Sequence, residues 1–314
     1  MIDKTFLITG ATGLIGSRIV NRLCDLGAFV KILSRNPGKA DNLFKRQYTV
    51  QEFDWSSYDN PLKLRELIED SDAIINLAGS NVAGKRWSKE YKKDIYNSRI
   101  EITKLLVNAI KICKKKPECL INASGAGYYG FCGDELLHED SQPGNDFLAR
   151  LCRDWETEAM KAVQSDVRVV TVRTGIVLDK NEGALKEFLT PFKFHFGAYQ
   201  GKGDQWLSWI HIEDITELYI YVMLNLNIFG AVNGVSKEPV TNKNFTEILG
   251  KVLNKNIILP VPGFVLKLVV GEFAENLLTG QKISSQKISD AGFKFNYPLL
   301  KDALENLLVQ DKSK

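Results

Sequence analysis

Short runs of β-branched and other apolar residues alternate, through the first half of the chain, with longer stretches whose apolar positions recur at helical spacing. The runs predict strands at Thr5–Thr9, Phe29–Ser34, Tyr48–Phe53, Ala73–Leu77, Cys119–Ala123 and Val167–Arg173. The stretches between them predict helices that begin near Gly13, Pro37, Pro61, Lys89 and Asn145. Strands and helices in strict alternation indicate right-handed βαβ units on a parallel sheet. The expected fold class is therefore α/β, a doubly wound parallel sheet whose ligands sit beyond the carboxyl ends of the strands.

After Asp179 the alternation loosens into a glycine-rich stretch, helical segments at Ile215–Asn225 and Asn242–Leu253, and a strand-like run at Ile257–Val261. Apolar residues at mixed helical spacing fill Gly263–Gly280. This part reads as a smaller C-terminal α/β cap. The expected division is a sheet domain over 1–179, to which 205–235 return, and a cap over 180–204 and 236–314.

Composition changes this picture little. The 41 basic and 38 acidic residues give a net charge of +3, spread along the chain without a basic aromatic stripe, so neither nucleic acid nor an anionic membrane is an expected partner. No apolar run approaches the length of a membrane span and no basic-then-apolar leader opens the sequence, so the expected location is the cytoplasm. The five cysteines are odd in number and form no CxxC pair, as expected of reduced thiols, with no metal site implied.

The chemistry begins at the first strand–helix junction, Thr9-Gly10-Ala11-Thr12-Gly13-Leu14-Ile15-Gly16. Gly10 permits a tight turn, Gly13 lets a pyrophosphate approach the backbone, and Gly16 lets the helix pack close to the strand; the helix N-terminus supplies free N–H groups. That arrangement reads as a Rossmann-type dinucleotide cradle. Ser34 and Arg35 end the second strand where a carboxylate would select NAD, and a serine and an arginine suit a 2′-phosphate instead, so the expected cofactor is NADP(H). Asp54, with Trp55 beside it, stands where an adenine amino group needs an acceptor, and Leu77, Ala78 and Gly79 offer a small-residue surface past the fourth strand.

These residues resemble the extended short-chain dehydrogenase/reductase superfamily, and the chain is similar to its epimerase-like branch with a C-terminal domain of unknown function. The likeness runs through Asn76-Leu77-Ala78-Gly79, Lys85-Arg86-Trp87, Asn97-Ser98-Arg99, Ser124 to Gly130, Arg173-Thr174-Gly175, Trp209 to Asp214, Leu277 to Gln281 and Ala291-Gly292-Phe293. It implies cofactor contacts for Arg99, Ser124 and Arg173, and a Tyr-x-x-x-Lys pair on the helix after the fifth strand. With Glu156 as the acidic residue that follows the lysine by four places, the pair would fall on Leu148 and Cys152. Neither residue can serve.

Ser124 remains as a catalytic candidate, joined by Tyr128 and Tyr129 in the same loop, which either move a proton or wall the cleft. A working phenol needs a nearby cation, for which Lys85, Arg86 and Arg99 are the candidates. Lys85, Arg86, Trp87, Gln205 and Trp206 are expected to touch substrate, the last two from a glycine-rich hairpin. His211 and Asp214 are expected to hydrogen-bond between the two parts of the chain. Two functions stand at this point: an NADP(H)-dependent oxidoreductase or epimerase of a small molecule, and an NADP(H)-binding sensor or assembly protein without hydride chemistry. The chain acts as a monomer or as a homodimer formed by the helices at Lys89–Lys114 and Asn145–Gln164.

Overall fold

The structure, a computed structural model, describes residues 1–35, 38–44, 49–194, 197–255 and 258–309. Tyr48, Pro37 and Ile257, at which elements are expected to begin, lie outside the described residues.

The first half alternates as its pattern predicts: β1 (Thr5–Thr9), α1 (Leu14–Asp25), β2 (Phe29–Ser34), α2 (Lys39–Phe44), β3 (Val50–Asp54), α3 (Pro61–Glu69), β4 (Ala73–Asn76), α4 (Lys89–Ile112) and β5 (Cys119–Gly125). A two-residue strand β6 (Leu136–Leu137) precedes α5 (Phe147–Met160) and β7 (Arg168–Thr174). Capping residues set the helix starts where the sequence offers them. The side chains of Asn60, Ser88 and Asp146 accept N–H bonds at the first turns of α3, α4 and α5.

Beyond β7 the chain forms β8 (Ile176–Leu178), α6 (Gly183–Phe192), β9 (Gly197–Gln200), β10 (Trp206–Leu207), β11 (Trp209–His211), α7 (Ile212–Leu224) and β12 (Gly230–Gly234). It ends with β13 (Val240–Thr241), α8 (Asn242–Val252), β14 (Ile258–Val261), α9 (Gly263–Val270), α10 (Ala274–Leu278), β15 (Lys282–Ile283), α11 (Gln286–Asp290) and α12 (Leu300–Leu308).

One seven-stranded sheet, ordered β12-β7-β5-β4-β1-β2-β3, carries the first part, and every pairing in it is parallel. The strand order reverses beside β1, so the carboxyl ends of β1 and β4 open at a topological switch point. Buried apolar residues fill both faces. Those on one side pack with α1 and α7, and those on the other with α3 and α4.

A separate core gathers Leu178, Leu185, Trp209, Phe245 and Leu304 under α6, α8 and α12. The tail does not stay with this cap. Ile288 and Phe293 join the core around α1 and α7, and the buried Asp214 carboxylate on α7 accepts the N–H groups of Asn296 and Tyr297 at 2.7 and 3.0 Å. The expected cap boundary at 236 thus misses a crossing of the tail back onto the sheet domain.

The two helices expected at a dimer interface, α4 and α5, pack on each other through Tyr96 Oη and Asp154. Their exposed positions are charged or polar over most of their length, Lys93, Asp94, Glu101 and Lys104 on α4 and Arg150 and Arg153 on α5 among them. Among the described residues no helix is long and apolar enough to cross a membrane.

Candidate active site

The glycine cradle has the geometry its spacing predicts. Gly10 adopts φ +69°, and a Cβ there would stand 2.6 Å from the Leu77 carbonyl group, so no side chain fits between β1 and the end of β4. A Cβ on Gly16 would lie 2.3 Å from the Gly10 oxygen, which is why helix and turn need a glycine at that step. Gly13 differs. Its Cβ would meet only the Gly10 oxygen, at 3.3 Å, and would otherwise point into open space. Gly13 caps α1 without any side-chain bond, and no acidic residue lies in the first turn, which leaves the Leu14, Ile15 and Gly16 end of the helix free for an anion. Ala11 is buried beneath this turn and Thr12 is half-buried on it.

Arg35 is exposed at the end of β2 and forms no ion pair among the described residues, while Ser34 beside it is half-buried. The Asp54 carboxylate caps the turn that begins with Trp55, taking the Ser56 N–H at 3.0 Å and the Ser56 hydroxyl at 2.8 Å. Leu77, Ala78 and Gly79 line the neighbouring strand end as expected, and Arg99 reaches under Gly79 from α4.

A buried network occupies the ends of β5 and β7. Ser124 donates to Glu156 Oε1 at 2.6 Å, and Arg173 clasps the same carboxylate through Nε and Nη2, both at 2.9 Å. Arg173 Nη1 donates to Tyr129 Oη at 3.0 Å and to the Glu139 carbonyl at 2.9 Å; Tyr129 in turn donates to Asn233 at 2.6 Å. The ring of Tyr128 lies against the guanidinium, its centroid 3.4 Å from Cζ. Burial alone would lower the Arg173 pKa, but the ion pair with Glu156 outweighs it and raises the value.

This arrangement corrects three expectations. Arg173 is buried and uses four of its five N–H donors within the protein, so it has no fork to offer a cofactor phosphate. The cation beside the tyrosines is Arg173, and neither Lys85, Arg86 nor Arg99 touches them. Tyr129 is fully enclosed, and burial pushes its pKa up to about 12, so it belongs to the packing and cannot exchange protons with a ligand.

On α5, Leu148 and Cys152 do face the site: they are the side chains that a Cβ on Gly127 and on Gly125 would meet, at 3.0 and 3.6 Å. Burial pushes the Cys152 thiol up to about 11, which keeps it protonated and unreactive.

The residues expected to touch substrate separate into two groups. Lys85 and Arg86 are exposed in the β4–α4 loop, with Arg86 lying against Gly271. Trp87 stacks edge-on against Phe147 at 5.2 Å and also contacts Phe273 at 5.3 Å, while Lys92 pairs with Glu272 at 2.7 Å, so this loop is fastened to the cap. Gln205 is buried, and its amide donates to the Gln200 and Leu277 carbonyls; Trp206 donates to Asp134 at 2.7 Å. The glycine-rich hairpin is stitched down rather than a free lid.

A second polar chain was not expected from the sequence. Thr9 donates to Asn76, whose amide donates to Asn122 at 2.6 Å and Thr103 at 2.8 Å; Trp155 also donates to Thr103. It ties the ends of β1, β4 and β5 to α4 and α5. The signal was present, since Thr9, Asn76 and Asn122 are polar residues at the carboxyl ends of otherwise apolar strands.

Sequence comparison decides the lineage. The profile of the NAD dependent epimerase/dehydratase family matches residues 6–233, and that of a domain of unknown function, DUF1731, matches residues 261–307. The chain belongs to the NAD dependent epimerase/dehydratase family. It is 37% identical over 313 residues to the chloroplastic epimerase family protein SDR39U1 homolog of Arabidopsis thaliana, covering 98% of this chain and 87% of that protein. It is 35% identical over 307 residues to the epimerase family protein YfhF of Bacillus subtilis, covering 98% of each chain. Among solved structures, the human epimerase family protein SDR39U1 with NADPH superposes with a TM-score of 0.85 at 30% identity, over 96% of this chain and 98% of that one.

In this family member, His211 has a structural place. Its Nδ1 accepts the Glu213 N–H at 3.1 Å as the cap of α7, and its ring stacks on Tyr297 with centroids 4.0 Å apart. Burial lowers its pKa from 6.5 to about 4, and Asn306 and Asp179 offset only part of that. An unfolded chain therefore binds a proton here below pH 6.5 that the folded chain refuses until about pH 4. Stability is expected to be full above about pH 7 and to fall by up to about 3 kcal/mol as the pH drops to 4. Urea titrations of the wild type and of His211→Asn, which keeps a capping oxygen, check this: the variant should show a flatter profile across that window.

Proposed function

We propose that this protein is an NADP(H)-dependent oxidoreductase or epimerase that acts on a small molecule at the carboxyl ends of β4, β5 and β7. The cradle fits the dinucleotide: its helix end is uncapped, Gly13 opens outward, and Arg35 and Ser34 suit a 2′-phosphate. The NADPH held by the human relative supports the same reading. NADP(H), when bound, supplies or accepts a hydride.

The observation that carries the chemistry is the stack of Tyr128 on Arg173, 3.4 Å from ring centroid to guanidinium. Tyr128 is half-buried, and its hydroxyl has no hydrogen-bond partner among the described residues. A fixed cation against the ring face stabilises negative charge that develops in the phenol as its proton leaves. Ser124 gives its own hydrogen to Glu156 and so presents lone pairs, which suit it to accept a hydrogen bond from a substrate hydroxyl. Tyr128 thus donates or takes the proton while Ser124 orients the reacting oxygen.

In a screen of carbonyl compounds and alcohols with NADP(H), Tyr128→Phe is expected to cut turnover about 10²–10⁴-fold with an unchanged melting temperature. Tyr129→Phe, which removes a buried hydroxyl from Arg173 and Asn233, should instead destabilise the fold by about 1–3 kcal/mol. Equal turnover of wild type and Tyr128→Phe would remove the phenol from the mechanism.

A second reading, an NADP(H)-binding sensor without hydride chemistry, is favoured by Leu148 and Cys152 facing the site. It requires tight NADPH binding together with no turnover of any compound in the same screen.

A further inference from the structure

A row of apolar side chains that begins at Leu148 serves neither the cradle nor the proton. Leu148 stands against Gly127, the residue before Tyr128: a Cβ on that glycine would meet the Leu148 Cβ at 3.0 Å and its Cδ1 at 3.5 Å. Phe147 precedes Leu148 on α5 and packs edge-on against Trp87 of the β4–α4 loop, with centroids 5.2 Å apart. Trp87 in turn meets Phe273, in the turn that follows α9, at 5.3 Å. Four large side chains thus run from beside the reacting phenol to the cap, and all four are half-buried.

The row leads on to an uncovered surface. Apart from Gly263 and Lys267, α9 consists of large apolar residues, a composition that ordinarily lies in a core. Here none of its residues is buried, and Phe264, Leu268 and Val269 are 75%, 76% and 68% exposed. Phe273 follows Val269 by four residues. Apolar surface of this extent marks an interaction site or the approach to a ligand groove.

Polar groups along the row are already engaged. Lys92 lies 5.8 Å from the Trp87 ring centroid and 5.5 Å from that of Phe147, but its ammonium is paired with Glu272 at 2.7 Å. The Trp87 indole N–H donates to the Val82 carbonyl at 2.9 Å, which leaves only its rings for a ligand. Lys85 lies over the Tyr91 ring and Arg86 against Gly271, outside the row. A sugar ring, whose hydroxyls need donors and acceptors, would meet hydrocarbon and aromatic faces here. The polar groups beside the row are the Tyr128 hydroxyl and Ser124 Oγ, enough for one carbonyl or hydroxyl oxygen. An apolar wall with one or two placed polar groups is the make-up of a site for an apolar ligand.

We propose that the substrate is an apolar carbonyl compound or its alcohol, whose hydrocarbon chain lies along Leu148, Phe147, Trp87 and Phe273 toward α9; this rests on the reading that the cleft holds NADP(H) and a small molecule. In reduction the carbonyl carbon takes the hydride of NADPH and the oxygen takes the Tyr128 proton, which gives the alcohol and NADP⁺ and leaves a phenolate that solvent reprotonates. Oxidation of the alcohol runs the same transfers backwards. Leu148, nearest the reacting oxygen, and Phe273, at the far end of the row, then set chain-length specificity.

The test titrates NADPH-saturated protein by calorimetry with straight-chain primary amides from butanamide to octanamide, which keep the carbonyl oxygen but accept no hydride. In wild type, affinity should rise about threefold or more per added methylene. Leu148→Gln should weaken every amide about tenfold, and Phe273→Gln only the longer ones, with butanamide within about twofold of wild type. A merely structural role would not divide the series by chain length. Affinity independent of chain length in wild type, or uridine diphosphate bound more tightly than octanamide, overturns the proposal, as does an unchanged series in both variants when melting curves show them folded. Should either variant not fold, the wild-type series decides alone. Turnover of octanal with NADPH is read separately: its absence, with the amide series intact, sinks the functional reading and leaves the apolar site standing. If wild type binds no NADPH, the same series on the cofactor-free protein still decides.

Discussion

Replacing Glu156 with leucine is expected to destabilise the protein by about 3–5 kcal/mol, because it leaves the Arg173 guanidinium buried without its carboxylate. The melting temperature should fall by on the order of 10 °C. Four hydrogen bonds and a ring stack converge on Arg173, and through them β5, β7, α5, the segment before α5 and β12 are held in register. The loss should therefore be cooperative and not confined to one element. Arg173→Met on the same background removes the stranded charge, so the double variant is expected to be more stable than Glu156→Leu alone. Thermal melts of the two single variants and the double variant check this, and additive losses would show that the two side chains do not act as a pair.

The second large effect concerns the cradle. Gly13→Ala should leave the fold intact, since its backbone is extended at φ −84° and ψ 174° and its Cβ would meet a single oxygen at 3.3 Å. The added methyl points into the space that a pyrophosphate needs, so NADPH affinity should fall about 10–100-fold, a cost of about 1.4–2.7 kcal/mol. Gly10→Ala is the contrasting case. It combines a positive φ with a backbone contact of 2.6 Å, and it should fail to fold. Equal NADPH affinity in wild type and Gly13→Ala would mean that the dinucleotide does not approach this turn.

Much of the fold was legible because buried parallel strands are written as unbroken apolar runs. Thr5–Thr9 and Phe29–Ser34 begin and end where the pattern puts them, and the strands at Ala73, Cys119 and Arg168 shift by no more than two residues at either end. The strand Gly230–Gly234 was not readable: Gly-Ala-Val-Asn-Gly has little strand preference, and pairing with β7 at the sheet edge makes it a strand. The two-residue strands at Leu136, Trp206, Val240 and Lys282 exist only through partners far away in the chain. The return of the tail onto α7 depends on Asp214 accepting two backbone N–H groups, a contact across more than eighty residues.

The site divides along the same line. Glycines at fixed spacing announce the cradle because their function is local, a turn and a helix end. Arg173 and Glu156 conceal theirs. Each looks like a surface or ligand-binding charge when read alone, and only their mutual burial, across seventeen residues of sequence, shows them to be one unit. The exposed Lys85 and Arg86 look like partners for the phenol for the same reason, since their charge is visible in the sequence and their distance from Tyr128 is not.

The uncapped end of α1, with Arg35 at the end of β2, is expected to select NADP(H). The most direct test is a calorimetric titration of cofactor-free protein with NADPH and with NADH, repeated on Arg35→Ala. Wild type should bind NADPH tightly and NADH much more weakly, and the variant should lose about tenfold or more in NADPH affinity and with it the preference for the phosphorylated nucleotide. Equal affinity for the two nucleotides in wild type, or binding of neither, would contradict that selection.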